Sequence, residues 1–280
     1  MRLALAAGRI AALLICVAVA TGVHADGEQL LRDETSGLQY LEVLTGGAAT
    51  ADPVPIVVAM HGLGDHPETF RLLLDDLPAK ARVIFPRGPM PHGDDGFSWF
   101  DFQPDDDEGQ AALGDGIKAA AERITQLVES LKKQRGGPGR VVVCGFSQGG
   151  ILSFEMAALH PDLIAEAIPV SGYLPSPLWP AERPKTRPLP KIIALHGEAD
   201  RLIPLQWANW TVEALRSNGY DISLRSWPKV SHALSPEMRA TLISAVVSAV
   251  EALSPHDASV GPPEKDAPAP PPEVPASPAR

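Results

Sequence analysis

The sequence predicts an α/β protein whose mostly parallel sheet is covered by helices on both faces. Short apolar runs of strand length alternate with longer segments that carry apolar residues at helical spacing. Such alternation favours parallel pairing, because each helix that connects two strands packs back against the sheet. The chain of 280 residues shows no internal repeat, so we expect one such domain with additional end segments.

The predicted strands begin with a loosely alternating segment and continue as short apolar runs. Residues 38–44 form the first, which we expect at an edge of the sheet because a Gly/Ala-rich turn and Pro53 follow it. The runs after it are rich in Val and Ile, as in strands buried on both faces. They comprise residues 56–60, 82–85, 141–144, 167–170, 191–195 and 221–227.

Four helices are predicted between and after these runs. In the longest, Leu113, Ile117 and Ile124 fall on one apolar stripe. The last has a clear start signal, with Ser235 as N-cap and Pro236 at the first helical position. The predicted helices cover residues 110–134, 148–159, 206–217 and 236–253.

Both ends are expected to lie outside the folded domain, which we place at residues 26–253. Arg2 and Arg9 precede an apolar run at residues 10–20, and residues 23–25 offer a small-residue cleavage site, so residues 1–25 are predicted to be a secretory signal peptide. An uncleaved anchor is the alternative, but about 11 apolar residues are too few to cross a bilayer. Residues 254–280 are rich in Pro and Ala and are predicted to be a disordered tail. We therefore expect an exported protein, periplasmic or secreted, without stable membrane insertion.

The charge of the chain argues against nucleic acid and anionic membranes as partners, and its cysteine content argues against a disulfide. The formal net charge is −10, and removal of residues 1–25 would take away two arginines and no acid. Such acidity argues against binding to nucleic acid or to anionic membranes. Cys144 would be the only cysteine of the mature chain, which rules out an intramolecular disulfide. Its place at the end of an apolar run favours a small buried hydrophobe over a nucleophile.

The strongest chemical signal is a Gly-x-Ser-x-Gly sequence between the run at 141–144 and the helix that follows. A serine in this strand-to-helix turn is exposed as a nucleophile, and small residues are needed where the strand and helix cross. Gly145 and Gly149 supply that room. The pattern predicts Ser147 as the catalytic nucleophile.

Two later strands are followed by residues that could complete a catalytic triad. Asp200 follows the run at 191–195, with Glu198 as its nearest competitor, and His232 follows the run at 221–227. The carboxyl ends of parallel strands meet at one edge, which is where ligand sites form. We expect His232 to take the Ser147 proton while Asp200 holds the tautomer of the imidazole.

A glycine-rich loop at residues 61–65 follows the first buried run. We expect the main-chain amides of Leu63 and Gln148 to bind a developing oxyanion. His61 and His196 are expected to hold the site loops by hydrogen bonds. The histidines show no tight ligand spacing, so no metal site is predicted.

Residues 86–107 form a long segment that contains an aromatic cluster. Phe97, Trp99 and Phe100 could wall a pocket for an acyl or alkyl group. The alternative is a loop folded back on its own hydrophobic side chains. Between residues 170 and 191 the connection is short and proline-rich, so we expect no large cap domain and an open site.

Taken together, the chain resembles the phospholipase/carboxylesterase family of α/β-hydrolases, a group that includes acyl-protein thioesterases and small bacterial carboxylesterases. The resemblance covers residues 54–253 and implies an α/β-hydrolase fold. It also implies Ser147, Asp200 and His232 as the triad, Trp99 beside the acyl site, and no metal or organic cofactor. The matching segments are His-Gly-Leu-Gly-Asp at 61–65, Ser-Trp-Phe-Asp at 98–101, Gly-Phe-Ser-Gln-Gly-Gly at 145–150, His-Gly-Glu-Ala-Asp at 196–200 and Ser-His at 231–232.

The expected function is hydrolysis of small or flexible acyl esters, thioesters or lysophospholipids through an acyl-enzyme. The alternatives are a secreted polyester depolymerase, a feruloyl esterase, a peptidase, or a noncatalytic ligand-binding protein that kept the fold. The expected partner is a small-molecule ester, and the protein is expected to be a monomer or a homodimer.

Overall fold

A computed structural model describes residues 29–102, 107–185 and 188–254, with the side chains of residues 107–110 left out. The predicted signal peptide at residues 1–25 and nearly all of the predicted tail at 254–280 lie outside the described residues. The predicted folded domain is therefore described almost from end to end.

The described elements follow the predicted alternation of strands and helices. Short 3-10 turns lie at Arg71–Leu73 and Ser176–Leu178. The strands are β1 (Leu31–Arg32), β2 (Gln39–Thr45), β3 (Ile56–Met60), β4 (Ala81–Pro86), β5 (Met90–His92), β6 (Gly96–Ser98), β7 (Val141–Phe146), β8 (Ile164–Val170), β9 (Lys191–Gly197) and β10 (Asp221–Trp227). The helices are α1 (Pro67–Phe70), α2 (Asp107–Arg135), α3 (Gln148–Leu159), α4 (Leu205–Ser217) and α5 (Pro236–Leu253).

One sheet of eight strands forms the centre of the domain. Its order is β1-β2-β4-β3-β7-β8-β9-β10, and every pairing from β4 to β10 is parallel. Within this sheet only β2 runs in the opposite direction, since it pairs antiparallel with both β1 and β4, while β5 and β6 form a separate hairpin. The mostly parallel sheet is confirmed. The expected edge position of the first strand is wrong, because the two-residue β1 pairs with the outer side of β2.

Helices cover the sheet on both faces, as predicted. Alternate residues of β7 belong to different cores: Val141 and Val143 pack with α2, α3 and α4, whereas Val142 and Cys144 pack with α1 and α5. This two-sided burial explains why the strand is continuously apolar instead of alternating.

The elements around the site begin and end as their sequence signals predict. The Ser235 hydroxyl accepts a hydrogen bond from the Met238 amide at 3.3 Å, which confirms the N-cap of α5.

Between β8 and β9 the described residues contain only one 3-10 turn and no cap domain. No helix in the described ranges is both long and apolar enough to span a bilayer.

One buried acid in α3 has a consequence for stability. The Glu155 side chain is 2 % exposed, and its Oε2 has no hydrogen-bond partner among the described residues. Burial raises the pKa of this carboxyl from 4.5 to about 7, with opposing influences from Lys118 and Glu122. The folded state thus retains a proton that the unfolded state loses. The higher pKa in the folded state therefore contributes to the free energy of unfolding. The contribution is fully present below pH 4.5 and is lost as the pH rises through about 7.

We expect Glu155→Gln to stabilise the protein more at pH 8 than at pH 5, because glutamine does not ionise. The difference between the two pH values should be about 2 to 3 kcal/mol in the free energy of unfolding, measured by urea titration. The exposed Glu129 of α2 supplies the matched control, since Glu129→Gln makes the same substitution in a helix without changing a buried carboxyl. An equal effect of Glu155→Gln at pH 5 and pH 8 would contradict the expectation.

Candidate active site

Ser147 occupies a strained turn between the central strand β7 and the buried helix α3. Its backbone has φ 56° and ψ −114°, a conformation that few non-glycine residues adopt. The Ser147 amide donates to the Val170 carbonyl at 3.0 Å, and the Ile151 amide donates to the Ser147 carbonyl at 2.9 Å. These bonds hold the turn at the carboxyl edge of the sheet, where the nucleophile elbow was predicted.

The crossing of strand and helix at this turn leaves no room for side chains. A Cβ on Gly149 would lie 2.0 Å from the Met60 carbonyl oxygen, and a Cβ on Gly145 would lie 2.5 Å from the Gly149 carbonyl. Real Cβ atoms do not approach backbone so closely. The predicted steric role of both glycines is therefore confirmed.

The three residues predicted as a triad are brought together by hydrogen bonds. The Ser147 Oγ lies 2.9 Å from His232 Nε2, and His232 Nδ1 lies 2.7 Å from Asp200 Oδ2. The His232 side chain is 15 % exposed, whereas that of Asp200 is fully buried. The Phe146 ring packs against the imidazole with ring centroids 4.9 Å apart. This arrangement can carry a proton from the serine to the histidine while the carboxylate stabilises the imidazolium.

Asp200 is held by the loop that follows β9. Its Oδ1 accepts hydrogen bonds from the amides of Leu202 and Ile203, both at 2.9 Å. Burial raises the pKa of this carboxyl, but the hydrogen bonds from His232 and Ile203 lower it more, so the net pKa lies below the usual value. Glu198, the competing acid, instead accepts from the exposed Ser226 hydroxyl at 2.8 Å. Geometry therefore favours Asp200 as the partner of His232.

The two histidines expected to hold the site loops do so. The His61 Nδ1 lies 2.7 Å from the Gly62 carbonyl, and its Nε2 accepts from the Gly88 amide at 3.0 Å. Burial lowers the pKa of His61 to about 4, consistent with a neutral ring that donates through Nδ1. The His196 Nε2 donates to the Ile203 carbonyl at 2.8 Å, and burial lowers its pKa as well. Across the part of the chain that the structure describes, no three His, Cys, Asp or Glu side chains cluster as metal ligands.

Two main-chain amides beside Ser147 are available to an oxyanion. The loop after β3 approaches the nucleophile closely, because a Cβ on Gly62 would lie 3.5 Å from the Ser147 Cβ. In the described residues, neither the Leu63 amide nor the Gln148 amide donates a hydrogen bond. The Gln148 amide directly follows Ser147 in the chain, and the Leu63 amide belongs to the loop that approaches Ser147. Their role in binding an oxyanion stays a prediction.

Comparison with known proteins identifies the family of this chain. Residues 47–246 match the profile of the Phospholipase/Carboxylesterase family. The chain belongs to this family. Acyl-protein thioesterase 1 of Mycosarcoma maydis is 25 % identical over 215 residues, which cover 66 % of this chain and 87 % of that protein. A probable carboxylesterase of Oryza sativa subsp. japonica is 28 % identical over 209 residues, covering 68 % and 76 %.

Solved structures show the same α/β-hydrolase fold. The crystal structure of Zea mays acyl-protein thioesterase 2 has a TM-score of 0.58 to this chain and is 21 % identical. The match covers 75 % of this chain and 98 % of the maize protein. The predicted fold and the resemblance to the phospholipase/carboxylesterase family are both confirmed.

The aromatic segment of this phospholipase/carboxylesterase family member is folded onto the core. Trp99 and Phe100 are each 2 % exposed, and together with α2 they line a cavity of about 440 Å³. Ser147 and His232 do not line that cavity. Phe97 is partly exposed and lies under the guanidinium of Arg87, 4.5 Å from the ring centroid. A substrate-binding role for the three aromatic residues stays a prediction.

Sequence reasoning missed what the side chain of Gln148 does. Gln148 is 3 % exposed, and its carboxamide forms hydrogen bonds with the main chain of Trp99 and Phe100. A long polar side chain at the first position of a largely apolar, buried helix was the available signal. Its partners could not be read from the sequence, since they lie on a distant segment.

Proposed function

We propose that this protein is a serine hydrolase of carboxylic esters that works through an acyl-enzyme. The single observation that carries the proposal is the unbroken hydrogen-bond chain from Asp200 through His232 to Ser147 at a strand-to-helix turn. Membership of the phospholipase/carboxylesterase family supports the same reaction class.

Acylation begins when the Ser147 Oγ attacks the carbonyl carbon of the ester. His232 Nε2 takes the hydroxyl proton as the new C–O bond forms, and Asp200 stabilises the resulting imidazolium. The carbonyl electrons move to the oxygen, which accepts hydrogen bonds from the amides of Leu63 and Gln148. Collapse of the tetrahedral intermediate expels the alcohol, which receives the proton from His232.

Deacylation repeats these steps with water as the nucleophile. His232 takes a proton from the water as its oxygen attacks the acyl carbon, and returns that proton to Ser147 Oγ as the ester bond to the enzyme breaks. The carboxylic acid leaves and the serine is restored. Apart from this water, every group in the cycle belongs to the protein or the ester.

The proposed substrates are small or flexible acyl esters, with thioesters and lysophospholipids in the same class. The short connection between β8 and β9 supports an open site, since its described residues provide no cap over Ser147. Two relatives carry the names acyl-protein thioesterase and probable carboxylesterase, which supports an acyl group as the common part of the substrate.

The proposal is tested by a fluorophosphonate probe together with a series of p-nitrophenyl esters of rising chain length. A thioester and a feruloyl ester are run beside them. We expect the probe to label Ser147 in a tryptic digest and the shorter esters to be hydrolysed with an initial burst of p-nitrophenol. Absence of both labelling and ester hydrolysis would overturn the proposal. A sharp rise in rate above the solubility limit of the ester would argue against an open site.

A further inference from the structure

We infer that the indole of Trp99 and the carboxamide of Gln148 are positioning groups that set the distance between the two oxyanion-binding amides. The inference rests on the proposed function, because it concerns how the amides of Leu63 and Gln148 are held before substrate arrives. Trp99 is nearly fully buried and acts through other residues. It is therefore a positioning residue and not a catalytic one.

The Gln148 side chain joins α3 to the aromatic segment. Its Oε1 accepts from the Trp99 main-chain amide at 3.0 Å and lies 3.2 Å from the Ser98 hydroxyl. Its Nε2 donates to the Phe100 carbonyl at 2.9 Å. Acceptor and donor are thus both used, which fixes the orientation of the carboxamide. The backbone amide of the same residue is one of the two proposed oxyanion donors.

The Trp99 side chain joins the same aromatic segment to the other oxyanion loop. Its indole Nε1 donates to the His61 carbonyl at 2.9 Å, and its ring packs on the His61 imidazole with centroids 5.0 Å apart. His61 is itself fixed by the amide of Gly88 and the carbonyl of Gly62. Leu63, which supplies the other proposed donor, lies two residues after His61.

Main-chain bonds complete the connection between the loop at residues 61–65 and the aromatic segment. The Gly64 amide donates to the Phe97 carbonyl at 2.9 Å, and the Phe97 amide donates to the Asp65 carbonyl at 3.1 Å. The segment 97–100 therefore bonds to both sides of the proposed oxyanion site. It links two amides that belong to chain segments far apart in the sequence.

Such a link matters because an oxyanion site works by preorganisation. Donors already aimed at the developing charge need no reorganisation during the reaction, whereas mobile donors lose much of their effect. Loosening the link should therefore weaken binding of the transition state more than binding of the ester. The expected signature is a fall in kcat with little change in KM.

The test compares Trp99→Phe with wild type on a p-nitrophenyl ester that wild type hydrolyses. Phenylalanine keeps an aromatic ring but cannot donate to the His61 carbonyl. We expect kcat to fall about 10- to 100-fold while KM changes less than about twofold. The affinity for a trifluoromethyl ketone, whose adduct with Ser147 carries the oxyanion, should fall by the same factor as kcat/KM. Gln148→Met, which removes the other half of the link, should show the same pattern.

Phe154→Leu is the matched control for loss of packing. Phe154 is fully buried in α3 and does not contribute to the link. It should lower the thermal stability without changing kcat or ketone affinity by more than about twofold. Should neither site variant fold, wild type decides, since a preorganised link requires the indole N–H of Trp99 to be protected from hydrogen exchange both without and with the ketone, and rapid exchange in the free enzyme would overturn the positioning role.

The outcomes separate this inference from the proposed function. If wild type neither hydrolyses esters nor reacts with the fluorophosphonate, the proposed function fails. If wild type is active but Trp99→Phe leaves kcat and ketone affinity unchanged, the positioning role is overturned and the hydrolase stands. A fall in kcat matched by Phe154→Leu would also overturn it, since lost packing alone would then explain the effect.

Discussion

Replacement of Ser147 by alanine is expected to lower kcat for ester hydrolysis by on the order of 10⁶-fold. No acyl-enzyme can form without the hydroxyl, and the described part of the site offers no second nucleophile. Cys144 lies three residues earlier, but its thiol is fully buried and burial raises its pKa to about 12. Some residual rate should remain, since the amides of Leu63 and Gln148 would still bind an oxyanion.

Steady-state rates, burst amplitude and thermal unfolding together check this expectation. The burst should vanish while the melting temperature stays close to that of wild type, because among the described residues the Ser147 hydroxyl forms a hydrogen bond only with His232. Ser153→Ala is the matched control, since that hydroxyl lies in α3, the helix that follows Ser147, and among the described residues donates only to the Gly149 carbonyl at 2.8 Å. Near wild-type turnover in Ser147→Ala would refute the assignment of the nucleophile.

Asp200→Asn is expected to lower kcat by about 10⁴-fold with the geometry of the site unchanged. The amides of Leu202 and Ile203 require an acceptor at the Oδ1 position, so the asparagine oxygen should remain there. Its NH₂ group would then face His232 Nδ1, which must become the acceptor. The imidazole proton would move to Nε2 and point at Ser147, leaving no base for the hydroxyl proton.

The control for this variant is Glu198→Gln in the same loop. Glu198 is exposed, and in the described residues its carboxylate accepts a hydrogen bond only from Ser226, so we expect less than a twofold change in kcat. Measuring both variants on one ester distinguishes the two acids. A large loss in Glu198→Gln, or none in Asp200→Asn, would reverse their roles.

Most of the fold could be predicted from the sequence because the central strands are buried on both faces. The run at residues 56–60 coincides with β3, and the predicted helices at 148–159 and 236–253 coincide with α3 and α5. The boundary of β8 was less visible, since the strand begins at Ile164 instead of residue 167. Glu166 interrupts its apolar pattern, yet this side chain pairs with Lys191 across the sheet, 3.8 Å away.

The convergence of the candidate site was predictable from chain order, but its internal support was not. Ser147, Asp200 and His232 each follow a strand of the parallel sheet, so topology alone brings them to one edge. By contrast, the hydrogen bonds of Trp99 and Gln148 depend on how the segment between β4 and α2 folds back. No local periodicity encodes that path.

The strand order places the serine and the histidine of the Asp200–His232–Ser147 chain at unequal depths in the domain. Ser147 follows β7, which is flanked by β3 and β8, whereas His232 follows β10, the last strand of the sheet. Among the strands that precede the three residues, β10 alone has a neighbouring strand on only one side, so we expect local opening to need least free energy there. Opening there would withdraw the base while the nucleophile turn stays folded. The working lifetime of the site is thus governed by the periphery of the sheet, not by the stability of its centre.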